Sequence, residues 1–168
     1  MPIISTDIEF RLSGGSSNTD PNASIGGVKS STEVGAGLHN LFDIVGSAET
    51  TSGDTEYRCI YVHNAHATLS LDNAVAYITS NTPSADTSVE IGVGAAAING
   101  TETAVANEST APGSVTFFAA ASLGAALALG NIPAGQHKAI WVKRIVNAGA
   151  AAYTDDQATI RVQGDTAA

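Results

Sequence analysis

Apolar and polar residues alternate over residues 7–12, with Ile8, Phe10 and Leu12 on one face and Glu9 and Arg11 on the other. That is the two-residue period of a half-buried strand. The pattern then stops. Residues 13–31, SGGSSNTDPNASIGGVKSS, hold almost no large apolar group. A stretch of that length without periodicity is either a surface loop or an arm that orders against a neighbouring subunit. Residues 34–45 carry Leu38, Leu41, Phe42 and Val45 at spacings of one helical face, with Gly46 placed to cap the end, so the spacing predicts a short helix or helical turn.

From Thr55 the two-residue period returns and persists. Tyr57, Cys59, Tyr61 and His63 share one face of a strand, and Arg58, Ile60 and Val62 the other. Further runs follow at 73–79, 88–93, 115–121, 125–129, 136–146 and 158–163. The Ala-rich tract 119–129 also suits a helix, since Ala is the best helix former. Gly124 and Gly130 favour strands. Ile132-Pro133-Ala134-Gly135 is a corner in which Pro presets φ and Gly supplies a left-handed position. It leads into the longest strand, where Trp141 and Ile145 alternate with Ile140, Val142 and Val146. About seven strands after residue 55, with no helix-length connections, predict an all-β, antiparallel, immunoglobulin-like β-sandwich. At most one short helix is expected. Residues 1–33 form an N-terminal strand and extended arm, and residues 34–168 the sandwich. Leu41, Phe42, Tyr57, Cys59, Tyr61 and Trp141 are expected to build its core.

Composition narrows the function. The 168 residues suit one domain with a real core. A formal charge of −9 with seven scattered basic residues argues against nucleic acid, which selects clustered Lys and Arg. An anionic membrane surface is disfavoured for the same reason. One cysteine cannot close an internal disulfide. The N-terminus MPIISTDIEF has no basic region of a signal peptide, and no apolar run reaches membrane-spanning length. A chain made in the cytoplasm and remaining soluble is expected.

Candidate chemistry is thin. His63 and His66 stand three apart at a strand end, where side chains diverge instead of converging on a metal. Asp54/Glu56 and Asp155/Asp156 fall in turn-like sequence, where Asp bonds nearby amides. Cys59 lies mid-strand beside no base, which fits an inert buried thiol. Nucleophile-elbow and phosphate-loop motifs are absent. No enzyme, metal or cofactor is expected.

Several segments have a more specific character: Leu41-Phe42-Asp43, Glu49, the block GDTEYRCIYVHN at 53–64, Ile132-Pro133-Ala134-Gly135, and Ile140-Trp141-Val142-Lys143-Arg144. With FRLSGG at 10–15 and Gly26-Gly27, they make the chain similar to a family of small virion structural proteins of tailed bacteriophages. The resemblance covers nearly the whole chain. It implies no catalytic residues and a place in the assembled particle, without separating capsid from tail. The expectation is a capsid decoration (cement) protein located in the virion. Its partners would be the major capsid protein or other virion proteins, and itself, most plausibly as a trimer at a symmetry axis. A tail or baseplate component, or a virion-borne carbohydrate-binding module using Trp141 or Tyr57, are the alternatives. Phe10, Arg11, Pro21 and Ile25 in the arm are the partner-binding candidates, and removing residues 1–31 is expected to leave the sandwich folded.

Overall fold

A computed structural model describes residues 2–166. Seven strands form two antiparallel sheets: β1 (Ile8–Leu12), β2 (Asp54–Asn64), β3 (Leu71–Ser80), β4 (Thr87–Val93), β5 (Leu127–Ile132), β6 (His137–Val146) and β7 (Thr159–Thr166). One sheet has the order β1-β2-β6-β4 and the other β5-β3-β7. The all-β sandwich is therefore present. Its strand order is not the ABED/CFG order of an immunoglobulin constant domain.

Alternation dictates what each sheet buries. Cross-strand partners share a face, and β2 meets β6 in the register Arg58↔Val142, Ile60↔Ile140 and Cys59↔Trp141. Ile60, Val62, Ile140 and Val142 face the second sheet and pack with Ile78, Leu129 and Ile132 in the main core. The opposite face of the same strands is also buried. There Cys59, Tyr61, Ala139 and Trp141 form a second core, flanked by Tyr57, Val105, Val115 and Phe117. A strand apolar on both faces needs a cover on each. Here the outer cover consists of loops, not a third sheet.

Two loops supply that cover, and one of them is the segment expected to extend away. Residues 13–31 fold back on their own sheet. Ser24 accepts the Cys59 amide at 2.6 Å, and Ser30 donates its amide to Leu12 at 2.8 Å. Ser13, Ser24 and Ser30 are buried. The second loop, between β4 and β5, meets the first where Gly27 donates its amide to Glu102 at 2.9 Å and Val105 donates to Ile25 at 2.9 Å. Gly26 makes this junction possible. Its φ is +102°, and a Cβ there would lie 2.5 Å from the Thr103 carbonyl oxygen. Small and polar residues in this stretch thus serve close backbone approach, which hydrophobic periodicity does not register.

Three local expectations are corrected. No helix forms over 34–45: Gly37 (φ +114°) and His39 (φ +57°) take left-handed conformations, and Leu38 is 43 % exposed. The helix comes later, as α1 (Ser47–Ser52), and Gly46 caps its start instead of the end of a preceding helix. Residues 115–121 are not a strand. They touch β4 through one bridge, Ile91↔Phe118, and then bond β3 through the Ile78 amide and the Ala120 carbonyl at 2.9 Å. The segment is spent passing from one sheet to the other. The Pro133–Gly135 corner is as expected, with Gly135 at φ +73°.

Candidate functional site

The densest polar constellation lies at the α1 end of the sandwich. Glu56 and Arg58 on β2 and Arg144 on β6 project from the core-facing side, since Glu56 pairs with Arg144 and Arg58 with Val142. Arg144 Nε donates to Glu56 Oε2 at 2.6 Å, and its Nη1 donates to the Asp43 carbonyl at 2.5 Å. Arg144 Nη2 also reaches Asp43 Oδ1 at 3.2 Å and Glu49 Oε1 at 3.7 Å. Arg58 is fully buried and gives Nη2 to Glu108 Oε2 at 2.6 Å and Asn22 Oδ1 at 3.0 Å. Both guanidinium groups lie within cation–π reach of the Phe42 ring, 5.2 Å for Arg58 and 5.0 Å for Arg144 from its centroid.

This geometry joins the termini of distant segments. The loop before α1, α1 itself, β2, β6, the 13–31 loop and the β4–β5 loop all contribute a charged or polar group. Burial pushes the Glu56 carboxyl above the usual carboxylate range, although Arg144 and Arg58 pull it back. Among the described residues, the carboxylates of Asp43, Glu49 and Glu56 are the ones close enough to share a cation, with ligand atoms within 4.8 Å of one another. The Arg144 guanidinium already stands against all three. A metal ion would have to displace a fixed positive charge, so the cluster is built as a brace.

Of the residues expected in the core, Leu41, Cys59, Tyr61 and Trp141 are buried, and Phe42 and Tyr57 are half-buried against it. Leu41 is buried in the main core. Phe42 is half-buried and lies within cation–π distance of both arginines. Tyr57 is half-buried and tilted against Phe117, ring centroids 5.4 Å apart. Tyr61 donates its hydroxyl to the Gly27 carbonyl at 2.6 Å and accepts the Glu102 amide at 2.9 Å, which pins both covering loops to β2. Burial pushes its phenol up to about 12. Burial likewise raises the Cys59 thiol far above its ordinary range, which makes a thiolate inaccessible. Trp141 is fully buried and, among the described residues, its Nε1 has no hydrogen-bond partner.

The four partner-binding candidates do not converge. Phe10 packs on the main core. Arg11 lies on the outer face, held by Glu9 at 2.6 Å and by the Ser31 carbonyl. Pro21 opens a short 3₁₀ turn capped by Asp20, whose Oδ1 accepts the Asn22 amide at 2.9 Å. Ile25 is half-buried and bonded through its backbone to Val105. His63 bonds Glu9 at 2.8 Å, and Asp156 accepts the Ser84 amide at 3.1 Å. Sequence reasoning missed Arg144, Glu56 and Arg58 as a unit. Their signal was charged residues on an otherwise apolar strand face.

No family model matches the chain, and neither the curated proteins nor the solved structures contain a match.

The outer face has a cleft of about 490 Å³ in the β4–β5 loop, lined by Glu102, Val105, Ala106, Pro112 and Gly113 among others. Its one carboxylate is occupied, since Glu102 accepts the amides of Ala95 (3.3 Å) and Ala96 (3.0 Å). The cleft's one carboxylate is thus committed to the loop's own backbone.

His137 gives the outer cover a pH dependence. Its ring stands edge-on to Tyr61 with centroids 4.8 Å apart, and Nε2 lies 3.3 Å from the Gly100 carbonyl. Burial holds its pKa below the ordinary 6.5, against a smaller opposing effect of that carbonyl. A depressed folded-state value means the unfolded chain takes the proton first. The contribution is therefore complete above about pH 6.5 and is lost as pH falls through the folded-state value. Urea midpoints measured from pH 7.5 to 5 should decline, and H137Q should flatten that part of the profile. An unchanged slope in H137Q would refute the assignment.

Proposed function

We propose that the chain is a bacteriophage virion structural protein that decorates the capsid exterior and reinforces it. The observation that carries this reading is where the virion-like sequence block falls. Residues 53–64, GDTEYRCIYVHN, are Gly53 and the whole of β2, the strand that joins β1 to β6 and contributes to both cores. The same strand carries Glu56 and Arg58 of the ionic brace. A cement protein works as a stiff plate, and the larger sheet of this sandwich has an ionic brace on its inner face and hydrogen-bonded loops over its outer face. The described residues present occupied carboxylates, a buried thiol and small-residue loops, which suit a surface that is covered better than one that turns over substrate.

Charge supports an electrostatic approach to the particle. The net charge of −9 would steer docking toward a basic surface, and such steering weakens as salt screens it. The test is co-sedimentation of the purified protein with capsids stripped of accessory proteins. Saturable pelleting that weakens between low and high salt, with cryo-EM density on the head exterior, is the expected result. Absence from the head, with density on the tail or baseplate, would transfer the protein to that structure.

The carbohydrate-binding alternative loses its strongest aromatic. Trp141 is fully buried and cannot stack on a sugar, and Tyr57 is engaged with Phe117.

A further inference from the structure

We propose that β7 is a self-pairing edge through which two copies of this chain join antiparallel about a two-fold axis at Gln163. β7 has β3 on one side and, among the described residues, no strand on the other. Among the described residues, no backbone hydrogen bond ties residues 160–165 to anything but β3. The other edges are closed or broken. β1 is bonded by the 30–34 segment and β4 by Phe118. β5 is interrupted by a bulge with Gly130 at φ +85°, a usual way to blunt an edge. In the β3–β7 ladder the extra residues all fall on β3, which leaves β7 regular and ready to accept a strand.

The sequence of β7 says which strand. Arg161, Gln163 and Asp165 are exposed and alternate with half-buried Ile160, Val162 and Gly164. Read antiparallel against itself about Gln163, Arg161 stands opposite Asp165 and Val162 opposite Gly164. This register keeps exposed residues facing exposed residues. It forms two Arg–Asp pairs by symmetry, as an isologous interface requires. A two-residue slip either way sets Arg161 or Asp165 against Gln163, and further slips oppose like charges, which is unfavourable across strands.

Beside the edge lies a notch of about 200 Å³ walled by Ile3, Ile4, Ile8, Leu71, Val162 and Gly164, among others. Ile4 is 56 % exposed. The pairing register brings Val162 of the second copy opposite Gly164, at the mouth of this notch. Apolar burial then accompanies the backbone pairing on each side of the axis. The geometry favours a two-fold pair where the sequence alone led to a trimer, and it holds whether or not the protein decorates a capsid.

Sedimentation velocity of the full chain from 1 to 100 µM tests it. A species of twice the 16.9 kDa chain mass is expected. R161D and D165R should each weaken association at least about tenfold, because two attractive pairs become repulsive. The double reversal R161D/D165R should restore it to within a few-fold. Circular dichroism melts confirm that the variants fold. Q163C should cross-link to itself on oxidation, with buried Cys59 silent. A protein at chain mass throughout overturns the proposal. So does a trimer indifferent to the single reversals, or a double reversal that fails to recover association.

Discussion

Arg144→Ala should destabilise the protein by about 3–5 kcal/mol, the range for removing one partner of a buried ion pair. For a chain of this size the melting temperature would fall by about 6–20 °C. The loss comes from what remains. Glu56 is 2 % exposed, and without Arg144 its nearest cation is Arg58 at 3.7 Å, which is itself committed to Glu108 and Asn22. Asp43 and Glu49 would then face Glu56 with no charge between them. Phe42 would lose one of its two guanidinium contacts. Because the uncompensated group is a carboxylate, the deficit should shrink on acidification. Glu56 already titrates above its ordinary value of 4.5, and losing Arg144 raises it further. The variant should therefore regain stability relative to wild type as pH falls through that raised value. Adding E56Q should recover much of the loss, since a neutral amide is far cheaper to bury than a carboxylate. Chemical denaturation of the four proteins of this double-mutant cycle measures the coupling directly. A loss below about 1 kcal/mol would mean that the brace is solvated in solution.

The strands were legible because their period is local. β1, β2, β4, β6 and β7 coincide with alternating runs that any reader of the sequence can mark. Face assignment was legible too: Cys59, Tyr61 and Trp141 emerge on one side and Ile60, Val62, Ile140 and Val142 on the other. The cover over the outer face was not. Residues such as Ser13, Ser24 and Ser30 are buried because their oxygens and backbones meet partners far along the chain. Ser13 Oγ, for instance, accepts the Gly26 amide at 3.1 Å. A polar Gly/Ser segment looks the same from sequence whether it is solvated or stapled, because the staple is made of backbone groups common to every residue. Residues 115–121 failed for a related reason. Their alternation is that of a strand, but they are used to cross between sheets. The brace escaped notice because Asp43, Glu49, Glu56, Arg58, Glu108 and Arg144 come from segments that only the fold brings together.

Removing residues 1–31 is therefore expected to unfold the protein or leave it without cooperative melting, where the sequence alone led to an intact sandwich. The deletion takes β1, including Leu12 and Phe10 from the main core, and exposes the β2 edge as an unpaired template. It also strips the cover from Cys59, Tyr61 and Trp141. The Cys59 amide loses Ser24, the Tyr61 hydroxyl loses Gly27, and Arg58 loses Asn22. Each fully buried apolar side chain returned to water costs about 1.5–3 kcal/mol, and each orphaned buried polar group about 1–3 kcal/mol. Several of each approach the whole stability of an ordinary domain, about 5–15 kcal/mol. Loss of capsid binding by such a truncation would then report unfolding, not a missing contact. A point change on the loop's exposed side separates the two effects. Val28 is 49 % exposed, so V28D should keep the wild-type melt within about 0.5 kcal/mol. If this loop faces the particle, V28D should still weaken capsid co-sedimentation. A cooperative, near-native melt of the 32–168 fragment would show that the loop is the detachable arm after all.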